Sequence, residues 1–172
     1  MRVTTLALAL ASLLVLPAQG FADPVADCNS DEPMIIIKGC SQLIDGGKTN
    51  SDALAIAYFN RGNAYDDHGD HDRAVEDYTA SIKLKPDYAD SYFNRAFSYE
   101  GIKDYDSAIA DYTRVIALTP DYAKAYYGRA RVFEAKGDLK QALAGYEEAA
   151  KLAPNNKSVQ KKIAEVKQKL GQ

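Results

Sequence analysis

Residues 55–156 carry one 34-residue pattern three times in succession and without a gap, as segments 55–88, 89–122 and 123–156. A unit of this length cannot bury its apolar side alone and is stabilised by stacking on copies of itself. The period therefore predicts a solenoid of stacked supersecondary units. The columns that agree in all three copies are Tyr58/Tyr92/Tyr126, Tyr65/Tyr99/Phe133, Ala74/Ala108/Ala142, Tyr78/Tyr112/Tyr146 and Pro86/Pro120/Pro154.

The period, the order of aromatic residues and alanine, and the closing proline resemble a tetratricopeptide repeat (TPR) array. Two columns depart from the family pattern without affecting the expected fold: tyrosine replaces a frequent tryptophan, and arginine replaces a frequent leucine. These columns are Tyr58/Tyr92/Tyr126 and Arg61/Arg95/Arg129. The resemblance implies helix–turn–helix units and, most often, a groove that binds a peptide. It does not indicate which peptide.

We therefore predict an all-α, right-handed solenoid of three TPR repeats, with an N-terminal half-repeat and a C-terminal capping helix. The predicted division is a signal peptide at 1–22, a disulfide-linked half-repeat at 23–50, the repeats at 51–156, and the capping helix at 157–172. Ser51 and Asp52 are expected to cap the first helix of the first repeat.

Each repeat should follow the same plan. The first helix places two aromatic residues, such as Tyr58 and Tyr65, on one buried stripe. It ends near Gly69, Lys103 or Gly137, and a small alanine marks the close crossing of the two helices. An aspartate caps the second helix, and a proline ends it. These capping and terminating residues are Asp70, Asp104 and Asp138, and Pro86, Pro120 and Pro154.

The first 22 residues have the pattern of a secretory signal peptide. Arg2 supplies a positive charge, the segment 6–16 is apolar except for Ser12, and small residues at Gly20 and Ala22 fit a signal peptidase site. The apolar run is too short for a stable membrane span. We expect a periplasmic or secreted protein, with an uncleaved N-terminal anchor as the alternative.

The two cysteines of the chain, Cys28 and Cys40, lie just beyond this segment. In an exported protein a lone pair at short separation predicts a disulfide. Residues 33–44 resemble a degenerate second helix, in which Cys40 takes the position of Tyr112 and faces the first repeat. The alternatives are two free thiols or a two-thiolate metal site.

Composition and motifs exclude several classes of function. The net charge of −3 and the absence of a basic patch argue against nucleic-acid binding. No catalytic motif is present, so we expect neither an enzyme nor a cofactor. His68 and His71 lie among aspartates and could bind a divalent cation. We favour a solvated turn instead, in which replacing both histidines changes little.

Two groups of charged residues have competing interpretations. The arginine column at positions 61, 95 and 129 could bind anions, but we favour ion pairs with Asp77 and Asp111 on the partner helix, which leaves Arg129 unpaired opposite Gly145. The C-terminal helix could present a basic surface to an acidic partner, but we favour a polar-faced cap on the last repeat. Its lysines are Lys157, Lys161, Lys162, Lys167 and Lys169.

By resemblance to the family, the first helix of each repeat lines the groove. Phe59, Phe93 and Tyr127 should form a partly exposed aromatic strip, and Asp66, Glu100 and Glu134 should make one wall acidic. The partner-binding residues that we predict are Phe59, Asn60, Asn63, Phe93, Asn94, Phe97, Lys124, Tyr127 and Arg131.

Some TPR domains hold a terminal carboxylate of a chaperone. Asn63, Asn94 and Lys124 match that clamp, whereas Phe59 and Gly128 stand where it has cations, so a strong carboxylate clamp is not expected. We predict a non-enzymatic module that binds an extended peptide or partner protein in the groove. The alternative is an envelope assembly or secretion factor that acts through the convex face and the basic C-terminal helix.

Overall fold

The computed structural model describes residues 23–47 and 49–171; the predicted signal peptide lies outside this part of the chain. The described residues form an all-α solenoid without a strand, which confirms the predicted fold class. The helices are α1 (Pro24–Cys28), α2 (Pro33–Gly46), α3 (Ser51–Asp67), α4 (His71–Leu84), α5 (Ala89–Gly101), α6 (Tyr105–Leu118), α7 (Ala123–Ala135), α8 (Leu139–Leu152) and α9 (Lys157–Lys169).

The second helix of every repeat begins directly after the predicted aspartate, which is its N-cap. Asp70, Asp104 and Asp138 each accept a hydrogen bond from the backbone N–H three residues further on, at 3.1–3.3 Å. Each helix ends two residues before the repeat proline. The N-cap of α3 is Asn50, which accepts from the N–H of Ala53 at 2.8 Å, so the predicted cap at Ser51 and Asp52 is wrong by one residue.

The turn inside each repeat passes through the left-handed backbone region, at Gly69, Lys103 and Gly137. Lys103 has φ +63° although it carries a Cβ, which is costly outside glycine. The same turn therefore forms in all three repeats even where glycine is absent.

The centre of each helix pair is a buried tyrosine of the second helix: Tyr78, Tyr112 and Tyr146 are at most 1% exposed. Two of them are given room by glycines: a Cβ on Gly62, in the first helix of the same repeat, would lie 2.8 Å from the Tyr78 ring, and one on Gly128, in the first helix of the next repeat, 2.6 Å from the Tyr112 ring. The predicted buried stripe on the first helix, which contains Tyr58 and Tyr65, is only half-buried. The hydroxyl groups of its later members reach backbone carbonyls: Tyr92 donates to Pro86 and Tyr126 to Pro120.

The N-terminal region adds a half-repeat in which α2 packs on α3 like a second helix. Cys28 and Cys40 form the predicted disulfide, and both lie in the core next to Ala57. The short helix α1 was not predicted. It is pressed against α2 at Gly39, where a Cβ would lie 2.4 Å from Cβ of Asp27.

The C-terminal helix α9 covers the last repeat with its apolar side. Val159 and Val166 are buried, and Ile163 and Leu170 pack on the core around Tyr146. This arrangement agrees with the capping helix predicted from the sequence. Among the described residues, no helix combines the length and the apolar character needed to cross a membrane.

Candidate functional site

The concave face is built by α3, α5 and α7, which carry the predicted aromatic strip of Phe59, Phe93 and Tyr127. All three rings are partly exposed. Each packs on the buried tyrosine of its own repeat, with ring centroids 5.9, 5.5 and 5.3 Å apart. The strip is thus anchored in the core and open on its outer side.

Two further rings cover part of the strip. Tyr88 packs on Phe59 at 5.1 Å and Tyr122 packs on Phe93 at 5.3 Å, each from the last position of its repeat. The corresponding residue of the third repeat is Asn156, so no ring packs on Tyr127 from that position of the repeat. Aligning the three repeats shows asparagine in place of tyrosine at this position, but we predicted nothing from that substitution.

Phe97 is the most accessible aromatic residue predicted for the site, at 48% exposed. The guanidinium carbon of Arg131 lies 6.0 Å from its ring centroid, at the outer limit of a cation–π contact. Phe97 also borders two cavities, one of about 330 Å³ that reaches Asn63 and one of about 290 Å³ that reaches Lys124. It therefore stands in the middle of the concave face.

The asparagines of the concave face are already engaged within the chain. Asn94 donates to Oδ1 of Asn63 at 2.7 Å, and the Tyr78 hydroxyl lies 2.7 Å from the same oxygen. Asn60 donates to the carbonyl of Cys28 at 3.1 Å and reaches Asn29. Asn60, Asn63 and Asn94 stay predicted partner-binding residues, but the Nδ2 groups of Asn60 and Asn94 and the Oδ1 of Asn63 already form hydrogen bonds within the chain.

The predicted acidic wall is largely neutralised. Glu100 receives two hydrogen bonds from Arg131, at 2.9 and 2.7 Å. Glu134 is paired with Lys162 at 3.2 Å and with Lys169 at 2.7 Å. The cations come from the helix two further along the chain, α7 for Glu100 and α9 for Glu134, so the wall joins each repeat to the unit that follows it. Arg131 is consequently committed to Glu100 and does not act as an independent positive charge.

The first member of this acidic column is held differently. Asp66 accepts from Ser98 at 2.7 Å and lies 2.8 Å from Nδ1 of His71. The His71 ring also lies against α5, where a Cβ on Gly101 would be 2.5 Å from it. His71 therefore belongs to an inter-repeat contact, and its predicted place in a solvated turn is wrong. No group of three potential metal ligands occurs within 23–47 or 49–171.

The buried tyrosines complete this ladder, because each hydroxyl points at the acidic residue of its own repeat. The distances are 3.1 Å for Tyr78, 2.6 Å for Tyr112 and 2.8 Å for Tyr146. Burial first, and then the adjacent carboxylate, raise the pKa of all three phenols far above their ordinary value. The phenols are thus permanent hydrogen-bond donors.

The arginine column is structural, as predicted. Nε of Arg61 lies 2.7 Å from Asp77, and Nε of Arg95 lies 2.7 Å from Asp111. Both carboxylates are buried. Arg129 forms no ion pair within the described ranges and donates to Thr113 at 3.2 Å. Arg61 and Arg95 make the equivalent hydrogen bonds to the hydroxyl groups of Ser41 and Thr79. Each arginine of the column therefore also bonds to a hydroxyl group on the preceding second helix.

The lysines of α9 are mostly paired as well. Lys167 lies 3.1 Å from Glu147 and Lys161 lies 3.7 Å from Glu165, in addition to the two lysines on Glu134. These pairs favour the predicted cap over a basic docking surface. On the concave face, Lys124 is exposed and forms no ion pair with residues 23–47 or 49–171.

Stacked helix pairs with this geometry define a helical repeat protein. Sequence models of the tetratricopeptide repeat match residues 55–88 and 98–157. The second TPR domain of human RPAP3, solved by NMR in complex with the HSP70 peptide SGPTIEEVD, is 31% identical and has a TM-score of 0.65. The alignment covers 69% of this chain and 98% of that domain. The chain therefore belongs to the tetratricopeptide repeat family.

Two other structures show the same architecture. The first TPR of Spaghetti (RPAP3), bound to the HSP90 peptide SRMEEVD, is 29% identical over 70% of this chain and 96% of its own, with a TM-score of 0.68. MamA from Desulfovibrio magneticus RS-1 is 19% identical over 86% and 81%, with a TM-score of 0.76, and is similar in fold alone. No curated protein matches the chain at a significant level.

Proposed function

We propose that this protein is a non-enzymatic adaptor that binds an extended segment of a partner protein along its concave face. The observation that carries the proposal is Phe97, an aromatic side chain half-exposed between two cavities at the centre of that face. Aromatic residues in central pockets supply most of the affinity of protein interfaces. The peptide complexes of the RPAP3 domains support peptide binding on the same fold.

The charges of the concave face narrow the kind of segment that fits. Glu100 and Glu134 are neutralised by basic neighbours, and Asp66 is hydrogen-bonded within the chain. The remaining features are the aromatic strip, Phe97 and the unpaired Lys124. A segment with apolar anchors and an acidic residue near the third repeat is the best complement.

Phe97→Ala is the sharpest test, because Phe93 also packs on two tyrosines and its loss would disturb the fold. A partner identified by affinity capture from the envelope fraction should bind the folded Phe97→Ala variant about tenfold more weakly, or about 1.4 kcal/mol. Ile102→Ala is the matched control, since Ile102 is 40% exposed at the C-cap of α5, away from the strip. Equal affinity of Phe97→Ala and wild type would place the binding surface elsewhere.

We also propose export and removal of residues 1–22, which the disulfide supports, since such bonds persist in oxidising compartments. The test is the N-terminal sequence and cell fraction of the tagged full chain in a bacterial host. A mature protein beginning at Asp23 in the periplasm or medium is expected. Intact chain in the cytosol would contradict export.

A further inference from the structure

An open cavity lies at the C-terminal end of the concave face. It has a volume of about 560 Å³ and opens between the start of α7, the end of α8 and the start of α9. Its walls are mostly apolar and include Tyr122, Tyr127, Ala153 and Val159. This volume falls in the range of sites that bind small ligands or side chains.

The cavity exists because one aromatic residue is absent from the repeat period. In the first two repeats a tyrosine at the last position packs its ring on the aromatic strip, as Tyr88 does on Phe59 and Tyr122 on Phe93. The third repeat has Asn156 at that position, and within 23–47 and 49–171 the ring that packs on Tyr127 is that of Tyr146. The chain thus shows twice which kind of group fits over the strip.

Asn156 cannot close the cavity without uncapping α9. Its Oδ1 accepts hydrogen bonds from the N–H groups of Ser158 and Val159, at 3.0 and 3.3 Å. The side chain is therefore fixed as an N-cap. The space over Tyr127 remains open as a property of the fold.

The charge beside the cavity also changes in the third repeat. Lys124 lines it, whereas the same column has Ile56 and Asp90 in the first two repeats. The ammonium group has no carboxylate partner within 23–47 and 49–171. A carboxylate next to the ring that enters the cavity would therefore meet an unpaired cation.

We propose that this cavity binds an aromatic side chain of the partner segment, with an adjacent acidic residue of that segment paired to Lys124. The incoming ring packs on Tyr127 as Tyr122 packs on Phe93, and so completes the interrupted aromatic column. The inference rests on the proposed function, because it identifies which side chain anchors the partner segment in the groove.

The test uses an acetylated and amidated peptide, Gly-Ser-Asp-Tyr-Glu-Ser-Gly, and the backbone amide shifts of residues 23–172 followed by NMR. Wild type should show saturable shifts centred on Tyr127, Ala153 and Val159, weakened at least about tenfold when the peptide tyrosine is replaced by alanine. Exchanging both peptide acids for amides should weaken binding severalfold in wild type but not in Lys124→Gln.

Asn156→Tyr places the chain's own ring in the cavity and should abolish peptide binding. Asn156→Ser is the matched control, because serine keeps the helix cap but leaves the cavity open, and it should bind like wild type. If Asn156→Tyr does not fold, the tyrosine-to-alanine peptide on wild type decides the question by itself. No shifts at the cavity up to about 5 mM peptide, or equal binding by Asn156→Tyr, would overturn the proposal.

The affinity of the natural partner for two variants distinguishes a failure of this inference from a failure of the proposed function. A partner that binds Asn156→Tyr normally but loses affinity for Phe97→Ala leaves the groove function in place and removes the cavity as its anchor. A third outcome is that wild type self-associates and does not bind the peptide, whereas Asn156→Tyr is monomeric. This outcome would show that a second copy fills the cavity, and the proposal would be wrong.

Discussion

Arg131 on α7 donates two hydrogen bonds to Glu100 on α5, at 2.9 and 2.7 Å, and so joins the second and third repeats across the concave face. Glu100 is only 16% exposed and also accepts from Tyr112. The pair therefore joins α5, α6 and α7, and each of its two charges is compensated by the other. A carboxylate in such a place depends on its cation.

Arg131→Ala should lower the free energy of unfolding by about 2 kcal/mol, because it leaves Glu100 with the tyrosine hydroxyl as its remaining donor. For a chain of this length that corresponds to a fall in Tm of about 6 °C, measured by circular dichroism. Arg129→Ala is the control, since Arg129 makes a single bond to Thr113, and it should cost less than about 1 kcal/mol. Equal losses in the two variants would show that the ion pair adds nothing.

The disulfide should stabilise the N-terminal end of the solenoid. Cys28 and Cys40 are 12 residues apart, and closing a loop of that size is worth about 3 kcal/mol in the chain-entropy model. Reduction should lower the Tm and increase amide hydrogen exchange in α1 and in α3 near Asn60, which bonds to the Cys28 carbonyl.

The control for reductant effects is the Cys28→Ser, Cys40→Ser double variant, whose Tm should not change when reductant is added. Both cysteines are buried, so free thiols must be counted in denaturant without reductant. Two labelled thiols in that assay would contradict the disulfide.

His71 and His68 should respond differently to substitution. His71→Ala removes the contact with Asp66 and opens a gap against Gly101, and we expect a loss of about 1–2 kcal/mol. His68 is exposed at the end of α3, so His68→Ala should leave the Tm within about 1 °C. At pH 7.5, urea unfolding measures the free energy lost in His71→Ala, and a thermal scan measures the Tm of His68→Ala. An unchanged free energy of unfolding in His71→Ala would instead support the solvated turn predicted from the sequence.

Local and periodic features were predictable from the sequence. The aspartate caps, the proline stops and the Arg95–Asp111 pair recur every 34 residues or lie within one helix pair, so the pattern itself places them. The short helix α1 has no period and was missed. It nevertheless covers Asn60, which the pattern assigned to the open groove.

The neutralised wall could not be predicted, because its partners are distant and irregular. Glu100 pairs with a residue 31 positions away and Glu134 with one 35 positions away, from different columns of the repeat. At the position of Arg131, the second repeat has Phe97 and the first has Asn63. A column of acidic residues therefore indicated a charged surface, and only the stacking of each unit on the next supplies the neutralising groups.

Glu134 should make the C-terminal cap sensitive to acid. Its side chain is 12% exposed and binds Lys162, Lys169 and the hydroxyl of Tyr146. Burial opposes ionisation, but the hydrogen bonds from Lys169, Tyr146 and Lys162 outweigh it and lower the pKa of Glu134 to about 2 from 4.5. A carboxylate whose pKa falls on folding adds stability above its unfolded pKa, and that stability is lost as the pH falls towards the folded value.

The free energy of unfolding of wild type should therefore fall by about 2 kcal/mol between about pH 4.5 and 2 as Glu134 becomes protonated. This value allows for solvent screening of the two lysines. Glu134→Gln should be less stable at pH 7 by about that amount and should show a smaller fall over the acid range. Glu147→Gln is the control, because Glu147 and its partner Lys167 are both 44% exposed and their pair is weak. The measurement is urea unfolding of the three proteins at a series of pH values. Parallel pH profiles for wild type and Glu134→Gln would show that the ionised carboxylate does not hold α9 in place.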